Sequence, residues 1–97
     1  MGKIIWAPSA LEDIEAIAKY IERDSIDRAA LFVDRVIEMT DQLEDFPQSG
    51  RVIPEINDEN CRELIYGMYR IMYRIAKREI WITGVIHGAR NRRSGYT

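Results

Sequence analysis

The chain is poor in the residues that build covalent cross-links and metal sites. It has one cysteine, Cys61, and one histidine, His87. A single cysteine excludes an internal disulfide framework and a cysteine-based zinc site, and it favours a reducing, cytoplasmic setting. His87 has too few companion ligands in its half of the sequence for a metal site, so no metal or other cofactor is expected.

Long apolar runs are also missing. No stretch approaches the roughly 18 consecutive apolar residues of a membrane-spanning helix, and the apolar part of the N-terminus is too short for a secretory signal. The 97 residues are 46% hydrophobic and 31% charged. This composition predicts one globular domain over 1–97, with a flexible basic tail over 90–97 and no membrane partner.

Charge is distributed unevenly along the chain. Residues 1–60 contain 6 basic and 14 acidic side chains, a net of −8, whereas residues 61–97 contain 8 basic and 2 acidic ones, a net of +6. Such asymmetry points to an acidic or polyanionic partner for the basic half. A solvated acidic pair of helices beside an ordinary basic sheet explains the same numbers equally well.

Two segments of the acidic half have the apolar period of amphipathic helices. A short strand over 3–7 precedes the first helix, for which Ser9 is the expected N-cap and Glu12 completes a capping box. The second helix is expected to begin at Ser25 or Asp27. Because the connection is short, the helices should form an antiparallel hairpin that packs on a sheet.

The basic half contains three β-like runs, at 61–66, 69–76 and 79–86. A tight turn at Lys77-Arg78 pairs the last two runs and sorts their side chains onto two faces. The face expected to pack against the helices carries Tyr69, Ile71, Tyr73 and Ile75. The face expected to stay open carries Met68, Arg70, Met72, Arg74, Trp81, Thr83, Val85 and His87.

Five motifs occur in order along the chain. They are W-A-P-S-A-L-E-D-I-E-A-I-A-K-Y-I from Trp6, F-P-Q-S-G-R-V-I-P-E from Phe46, R-E-L from Arg62, Y-R-I-M-Y-R-I from Tyr69, and V-I-H-G-A-R ending at Arg90. Together they resemble the RelE/ParE toxin superfamily of bacterial type II toxin–antitoxin systems, over nearly the whole chain. The resemblance implies an α+β fold: an N-terminal β-strand, an antiparallel helical hairpin and a three-stranded antiparallel sheet, in the order β-α-α-β-β-β.

Within that superfamily, the G-R-x-x-P-E loop, the R-E-L strand and the H-G-A-R ending look more like the ParE branch. Resemblance to ParE implies a toxin that poisons DNA gyrase without being an enzyme, so that replication is blocked, growth stops and plasmids are stabilised. It also implies a hetero-oligomer with a cognate antitoxin, whose C-terminal segment wraps the toxin.

The ParE-like interpretation assigns two sets of binding residues. The residues expected to bind the target are Arg70, Arg74, His87, Arg90, Arg92 and Arg93. The residues expected to bind the antitoxin are the exposed apolar ones of the open face, Met68, Met72, Trp81 and Val85. A purely structural role remains open for the charged positions, with Glu55 or Glu63 pairing with Arg70 or Arg74, and Arg51 pairing with Glu55.

The alternative is a RelE-like, ribosome-dependent mRNA endonuclease. RNA cleavage needs activation of a 2′-hydroxyl, cationic stabilisation of the phosphorane and protonation of the leaving oxygen. The candidate catalytic residues are Arg70, His87, Arg90 and Tyr96. RelE-like nucleases bring lysines to the strand before Arg70, whereas that strand here has Glu63 and no lysine. The acidic N-terminal half is also unlike a ribosome binder, so the ParE-like interpretation is preferred and enzymatic activity stays an open question.

Overall fold

A computed structural model describes residues 2–88 of the chain. The elements are β1 (Lys3–Trp6), α1 (Pro8–Glu22), α2 (Ile26–Asp41), a short 3₁₀ turn (Gln42–Glu44), β2 (Arg51–Val52), β3 (Cys61–Tyr66), β4 (Tyr69–Ile75) and β5 (Glu79–His87). The strands form one sheet in the order β1-β5-β4-β3-β2. β1 runs parallel to β5, and the other neighbouring pairs are antiparallel.

This architecture confirms the predicted α+β fold and the order of its main elements. The two-residue strand β2 was not predicted, because Gly50 and Pro54 confine it to a segment that has the composition of a loop. Its residues Arg51 and Val52 pair with Glu63 and Arg62 of β3. β2 therefore brings the G-R-x-x-P-E segment to the edge of the sheet.

The start of α1 differs from its prediction. The helix begins at Pro8, and Ala7 is its N-cap without any side-chain hydrogen bond. Pro suits this first position because its missing N–H would have no partner in the helix. Ser9 therefore lies inside the helix, and its hydroxyl donates to the carbonyl of Thr83 on β5 at 2.9 Å. The predicted capping box is wrong, and Ser9 instead joins the helix to the sheet.

The hairpin of two helices follows its prediction more closely. Ser25 is the N-cap of α2, and its hydroxyl accepts a hydrogen bond from the N–H of Arg28 at 3.1 Å, which confirms one of the two predicted caps.

Within residues 2–88, neither helix has the combination of length and apolarity that crossing a bilayer would demand.

A β-bulge changes the register between β4 and β5. Tyr73 pairs with Ile82 as predicted, but the register shifts between Met72 and Tyr73, so that Ile71 pairs with Val85. The expected partner of Ile71 was Gly84, one residue earlier. Helix α1 holds the bulge in place, because the carboxylate of Asp13 accepts a hydrogen bond from the N–H of Val85 at 3.0 Å. The pairing expected for residues 69–72 is therefore wrong by one position.

The hydrophobic core lies between the helices and one face of the sheet. The expected core face is confirmed, since Ile71 and Tyr73 are fully buried and Tyr69 and Ile75 pack against the cluster from its margin. The buried cluster comprises Ala10, Ile14, Phe32, Val36, Leu43, Ile71, Tyr73, Ile80, Ile82 and Val85. The opposite face of the sheet is where the sequence placed the candidate functional residues.

Candidate functional site

Four charged side chains near β2, β3 and β4 form one connected ion-pair network. The Nε of Arg70 lies 2.5 Å from one carboxylate oxygen of Glu63, and its terminal nitrogens lie 2.9 and 3.1 Å from the two oxygens of Glu55. The second oxygen of Glu63 accepts a hydrogen bond from Nε of Arg51 at 2.7 Å. Among the described residues, the network contains two guanidinium and two carboxylate groups.

The centre of the network is buried and its ends are exposed. Glu63 and Arg70 are 1% and 4% exposed, whereas the side chains of Glu55 and Arg51 are about half exposed. Burial alone would lower the pKa of Arg70, but hydrogen bonds to Glu55 and Glu63, together with their negative charges, raise the pKa above its ordinary value. Arg70 is therefore a charged group engaged by internal partners.

Two sequence predictions are corrected by this network. Arg70 was expected on an open face, and this is wrong because the loop after β2 brings Glu55 against it while β3 supplies Glu63. Arg51 was considered as a partner of Glu55, but it pairs with Glu63 instead. The expectation that Glu55 or Glu63 pairs with Arg70 is confirmed for both carboxylates.

Arg74, Met72 and Trp81 remain on the sheet face that carries the network. Arg74 is exposed and lies opposite Trp81 in the β4–β5 ladder. Trp81 is half-buried, and its indole N–H donates to the carboxylate of Glu79 at 3.0 Å. Met72 is half-buried opposite Glu63. Arg74 is therefore a solvent-exposed cation of this face, as is the half-exposed Arg51, while the two apolar side chains are only partly accessible.

Val85, Met68 and His87 lie in three different environments. Val85 is 2% exposed within the core, so the prediction that it lines an open face is wrong, because the bulge turns it toward the helices. Met68 is 60% exposed in the β3–β4 turn. His87 is exposed, and its ring meets that of Tyr69 edge-on at a centroid distance of 5.2 Å. The predicted apolar patch of four residues is thus dispersed.

The described part of the basic half, residues 61–88, presents fewer free cations at its surface than its composition suggests. Arg70 is buried and paired with two carboxylates, and Arg62 donates to backbone carbonyls of two loops. The remaining cations between residues 61 and 88 are Arg74, Lys77 and Arg78. The predicted binding residues Arg90, Arg92 and Arg93, and the candidate catalytic Tyr96, lie outside the described residues, and their roles stay predictions.

Tyr73, which was predicted only as a core residue, also organises a loop. The hydroxyl of Tyr73 donates to the carbonyl of Pro47 at 2.7 Å and accepts from the N–H of Gly50 at 3.0 Å. Burial raises the pKa of Tyr73, against the opposing effects of the Gly50 N–H and the charge of Arg62. A tyrosine centred in a core needs a polar partner for its hydroxyl. The predicted burial of Tyr73 was therefore a sequence signal that its hydroxyl would bind a polar group.

Arg62 joins the same loop to the next one. Its Nε donates to the carbonyl of Glu59 at 2.8 Å, and its Nη1 donates to the carbonyl of Gly50 at 2.8 Å and lies 3.4 Å from that of Gln48. Arg62 stands opposite Tyr73 in the β3–β4 ladder. Two neighbouring sheet residues therefore fix the loops that flank β2.

An apolar groove opens between the helical hairpin and the β3–β4 turn. Its volume is about 510 Å³, and Met68 lies on its sheet side. A second hollow of about 420 Å³ shares Tyr20 and Tyr69 with it and ends at His87. The apolar lining of the first groove comprises Tyr20, Ile21, Leu31, Phe32, Tyr66, Met68 and Tyr69. A groove of this shape and chemistry suits an amphipathic segment of another protein.

Between residues 2 and 88, no cluster of three His, Cys, Asp or Glu side chains is arranged to hold a metal ion. The one histidine contacts an aromatic ring, and the one cysteine, Cys61, is half-buried. Arg70 faces two carboxylates.

Comparison with known proteins identifies the family of the chain. Residues 4–92 match the family model of the ParE toxin of the type II toxin–antitoxin system parDE. A protein of Sinorhizobium fredii (strain NBRC 101917 / NGR234), described as "Putative toxin Y4kP", is 37% identical over 87 residues, which cover 88% of this chain and 86% of that protein. A solved structure described as the chromosomal ParDE TA system from P. aeruginosa superimposes with a TM-score of 0.76 at 21% identity, covering 92% of this chain and 98% of that one. The chain belongs to the ParE family of toxins from type II toxin–antitoxin systems.

Proposed function

We propose that this ParE-family toxin inhibits DNA gyrase by binding to it, and that a cognate antitoxin neutralises the toxin. The observation that carries the first part is the state of Arg70. Both terminal nitrogens of its guanidinium contact Glu55, and Nε contacts the buried carboxylate of Glu63. An arginine held in this way stabilises the fold and is not presented to a substrate, which favours a binding protein over a nuclease.

Electrostatics argue against RNA cleavage at this face. A phosphorane carries extra negative charge, so an arginine that stabilises it must present its charge to the phosphate. A phosphate beside Arg70 would lie close to Glu55 and Glu63, and the repulsion within a few ångströms would offset the attraction. The RelE-like alternative would need Arg70 to leave both carboxylates.

The apolar groove is the proposed site for the antitoxin. Met68, one of the residues assigned to the antitoxin from sequence, lies there and is 60% exposed. Tyr20 on the helical side is 67% exposed. We expect an amphipathic antitoxin segment to bury these side chains, giving a toxin–antitoxin hetero-oligomer in the cytoplasm, where gyrase acts.

The test compares two targets directly. Purified chain is added to gyrase, ATP and relaxed plasmid, and both supercoiling and trapped cleavage complexes are measured. In parallel, primer extension maps mRNA ends after induction in cells. We expect inhibited supercoiling, trapped complexes and an unchanged mRNA pattern. New mRNA ends without any effect on gyrase would refute the proposal in favour of the endonuclease.

A groove variant tests the antitoxin part. Tyr20→Ser removes an exposed aromatic ring from the groove and should weaken antitoxin binding by about tenfold or more, as loss of an aromatic anchor usually does. Leu11→Ser, at a 51% exposed position of α1 outside the groove, is the matched control. If Tyr20→Ser and Leu11→Ser bind the antitoxin with equal affinity, the antitoxin binds outside the groove.

A further inference from the structure

Two loops beside β2 expose large apolar side chains. Phe46, which follows the 3₁₀ turn, is 65% exposed, and Ile56, in the loop between β2 and β3, is 54% exposed. Neither residue lines the groove assigned above to the antitoxin. We name residues 46–50 and 54–60 together the two-loop surface.

The first loop is held rigidly from within the sheet. Tyr73 bonds to both Pro47 and Gly50, and Arg62 donates to the carbonyl of Gly50. A shallow hollow of about 360 Å³ is lined by Phe46, Pro47, Gln48 and Ser49. Phe46 is therefore an exposed aromatic ring at the rim of a concave surface, on a backbone fixed by buried groups.

The second loop is held equally firmly. The N–H groups of Ile56 and Asn57 both donate to the carbonyl of Ile53, at 3.1 and 2.8 Å, and Asn57 adopts a left-handed conformation with φ 56°. The carboxylate of Asp58 accepts from the N–H of Asn60 at 2.8 Å. Arg62 binds the carbonyl of Glu59, so one arginine ties this loop to the first.

Acidic residues are close in sequence to both exposed apolar side chains. Glu44 and Asp45 precede Phe46, and Asp58 and Glu59 follow Ile56. Within residues 2–88, none of these four takes part in an ion pair. Acidic groups repel nucleic-acid phosphates and attract Arg and Lys side chains, so a complementary partner is a cationic protein surface.

We propose that the two-loop surface is where the toxin contacts its target protein, and that the matching target site is an apolar depression flanked by Arg or Lys side chains. The inference rests on the proposed function in that the target is a protein. Ordering a loop on binding costs conformational entropy, and these loops are ordered before binding. Exposed aromatic anchors on rigid elements are typical of residues that dominate binding energy.

The experiment uses the full chain with Phe46→Ala, Ile56→Ala and the double substitution. Leu11→Ala and Ile37→Ala are matched controls, since these side chains are 51% and 43% exposed on the helices. Growth arrest without antitoxin, gyrase inhibition in vitro and antitoxin affinity are measured for each. We expect the double variant to lose growth arrest and to need about tenfold or more protein to inhibit gyrase. Its antitoxin affinity should equal that of the wild type.

A charge-reversed variant tests the partner's chemistry. Asp45→Lys with Glu59→Lys, two exposed positions, should also relieve growth arrest. In the gyrase assay, this variant's loss of inhibition should be greater at low than at high ionic strength, since added salt screens the contact. Unchanged toxicity of the double apolar variant would overturn the inference, and so would a loss of antitoxin affinity that parallels the loss of toxicity.

The outcomes separate this inference from the proposed function. If the wild type arrests growth without affecting gyrase, the gyrase proposal fails, and loss of arrest in the loop variants still supports a protein-binding surface. If the arrest is accompanied by new mRNA ends, the protein-target inference fails as well. A wild type that does not arrest growth overturns both.

Discussion

Gly50 lies so close to Tyr73 that a Cβ at residue 50 would come within 2.6 Å of the phenol oxygen and within 2.6 Å of the carbonyl oxygen of Glu63. Contacts of this length require movement of backbone or of a buried ring. The glycine of the G-R-x-x-P-E motif is thus explained by close packing.

Gly50→Ala should lower the free energy of unfolding by about 1–3 kcal/mol through overpacking, with additional loss if the Tyr73 hydroxyl is displaced. Gly67→Ala is the control, because Gly67 has φ 57° but nothing within 4 Å of the position that a methyl group would occupy. Its cost should be about 1 kcal/mol from the backbone alone. Chemical denaturation of both variants measures the difference. A smaller effect at residue 50 than at residue 67 would contradict the packing argument.

Tyr73→Phe should lower the free energy of unfolding by about 1–3 kcal/mol, because the N–H of Gly50 and the carbonyl of Pro47 lose a buried partner. Tyr20→Phe, at an exposed hydroxyl, is the control and should change stability by less than about 0.5 kcal/mol. Thermal unfolding of the three proteins provides the comparison. Equal stability of Tyr73→Phe and wild type would show that water replaces the hydroxyl.

The same substitution should alter the stability of the protein at high pH. Burial raises the folded-state pKa of Tyr73 above its unfolded value of about 10. Its neutral form is therefore favoured by folding, and the corresponding stability is present below pH 10 and lost as pH rises through the folded-state pKa. Unfolding curves between pH 8 and about 11 should show a steeper loss for wild type than for Tyr73→Phe. Parallel curves would contradict the raised pKa.

The two glutamates of the ion-pair network should differ in their importance for stability. Glu63→Gln removes the negative charge between two guanidiniums and leaves buried Arg70 undercompensated, at a cost of about 3–5 kcal/mol. Glu55→Gln, at a half-exposed position, should cost about 1 kcal/mol or less. Urea denaturation distinguishes these values. A larger loss for Glu55→Gln would mean that the loop, rather than the buried pair, carries the stability of the network.

The bulge in β5 should depend on Asp13. Asp13→Ala removes the acceptor for the N–H of Val85 and should cost about 1–3 kcal/mol, whereas Glu12→Ala, one residue earlier and exposed, should cost less than about 0.5 kcal/mol. Amide exchange at Val85 gives a local readout, and it should accelerate in Asp13→Ala only. Unaltered exchange would show that the bulge is stable without the helix.

The main elements could be predicted because their side-chain periods are local. The alternation from Tyr69 to Ile75 marks a strand with one core face, and Ser25 is a sufficient helix N-cap. The prediction that Val85 lies on the open face was wrong because it used only the local pattern. Its face depends on a one-residue bulge that is held by Asp13, which is 72 residues away, and no local pattern reports such a contact.

The candidate site was predictable only in its residue content. The possible pairing of Arg70 with Glu55 and Glu63 followed from charge, but their burial did not, since it requires the loop after β2 to fold over the sheet. Likewise, a buried tyrosine signals that its hydroxyl needs a partner, but Arg62 and Tyr73 both bond to backbone groups, which are not specific to any residue type, so the sequence does not identify those partners.

The parallel pairing of β1 with β5 has a consequence for synthesis of the toxin. Lys3 aligns with Glu79 and Trp6 with Ile82. During synthesis, β1 therefore has no hydrogen-bonding partner until β5 has also left the ribosome. Pairings between such distant segments form slowly and late. A chain that ends before Glu79 would therefore leave β1 without its hydrogen-bonding partner, so the sheet can be completed only after β5 has been synthesised.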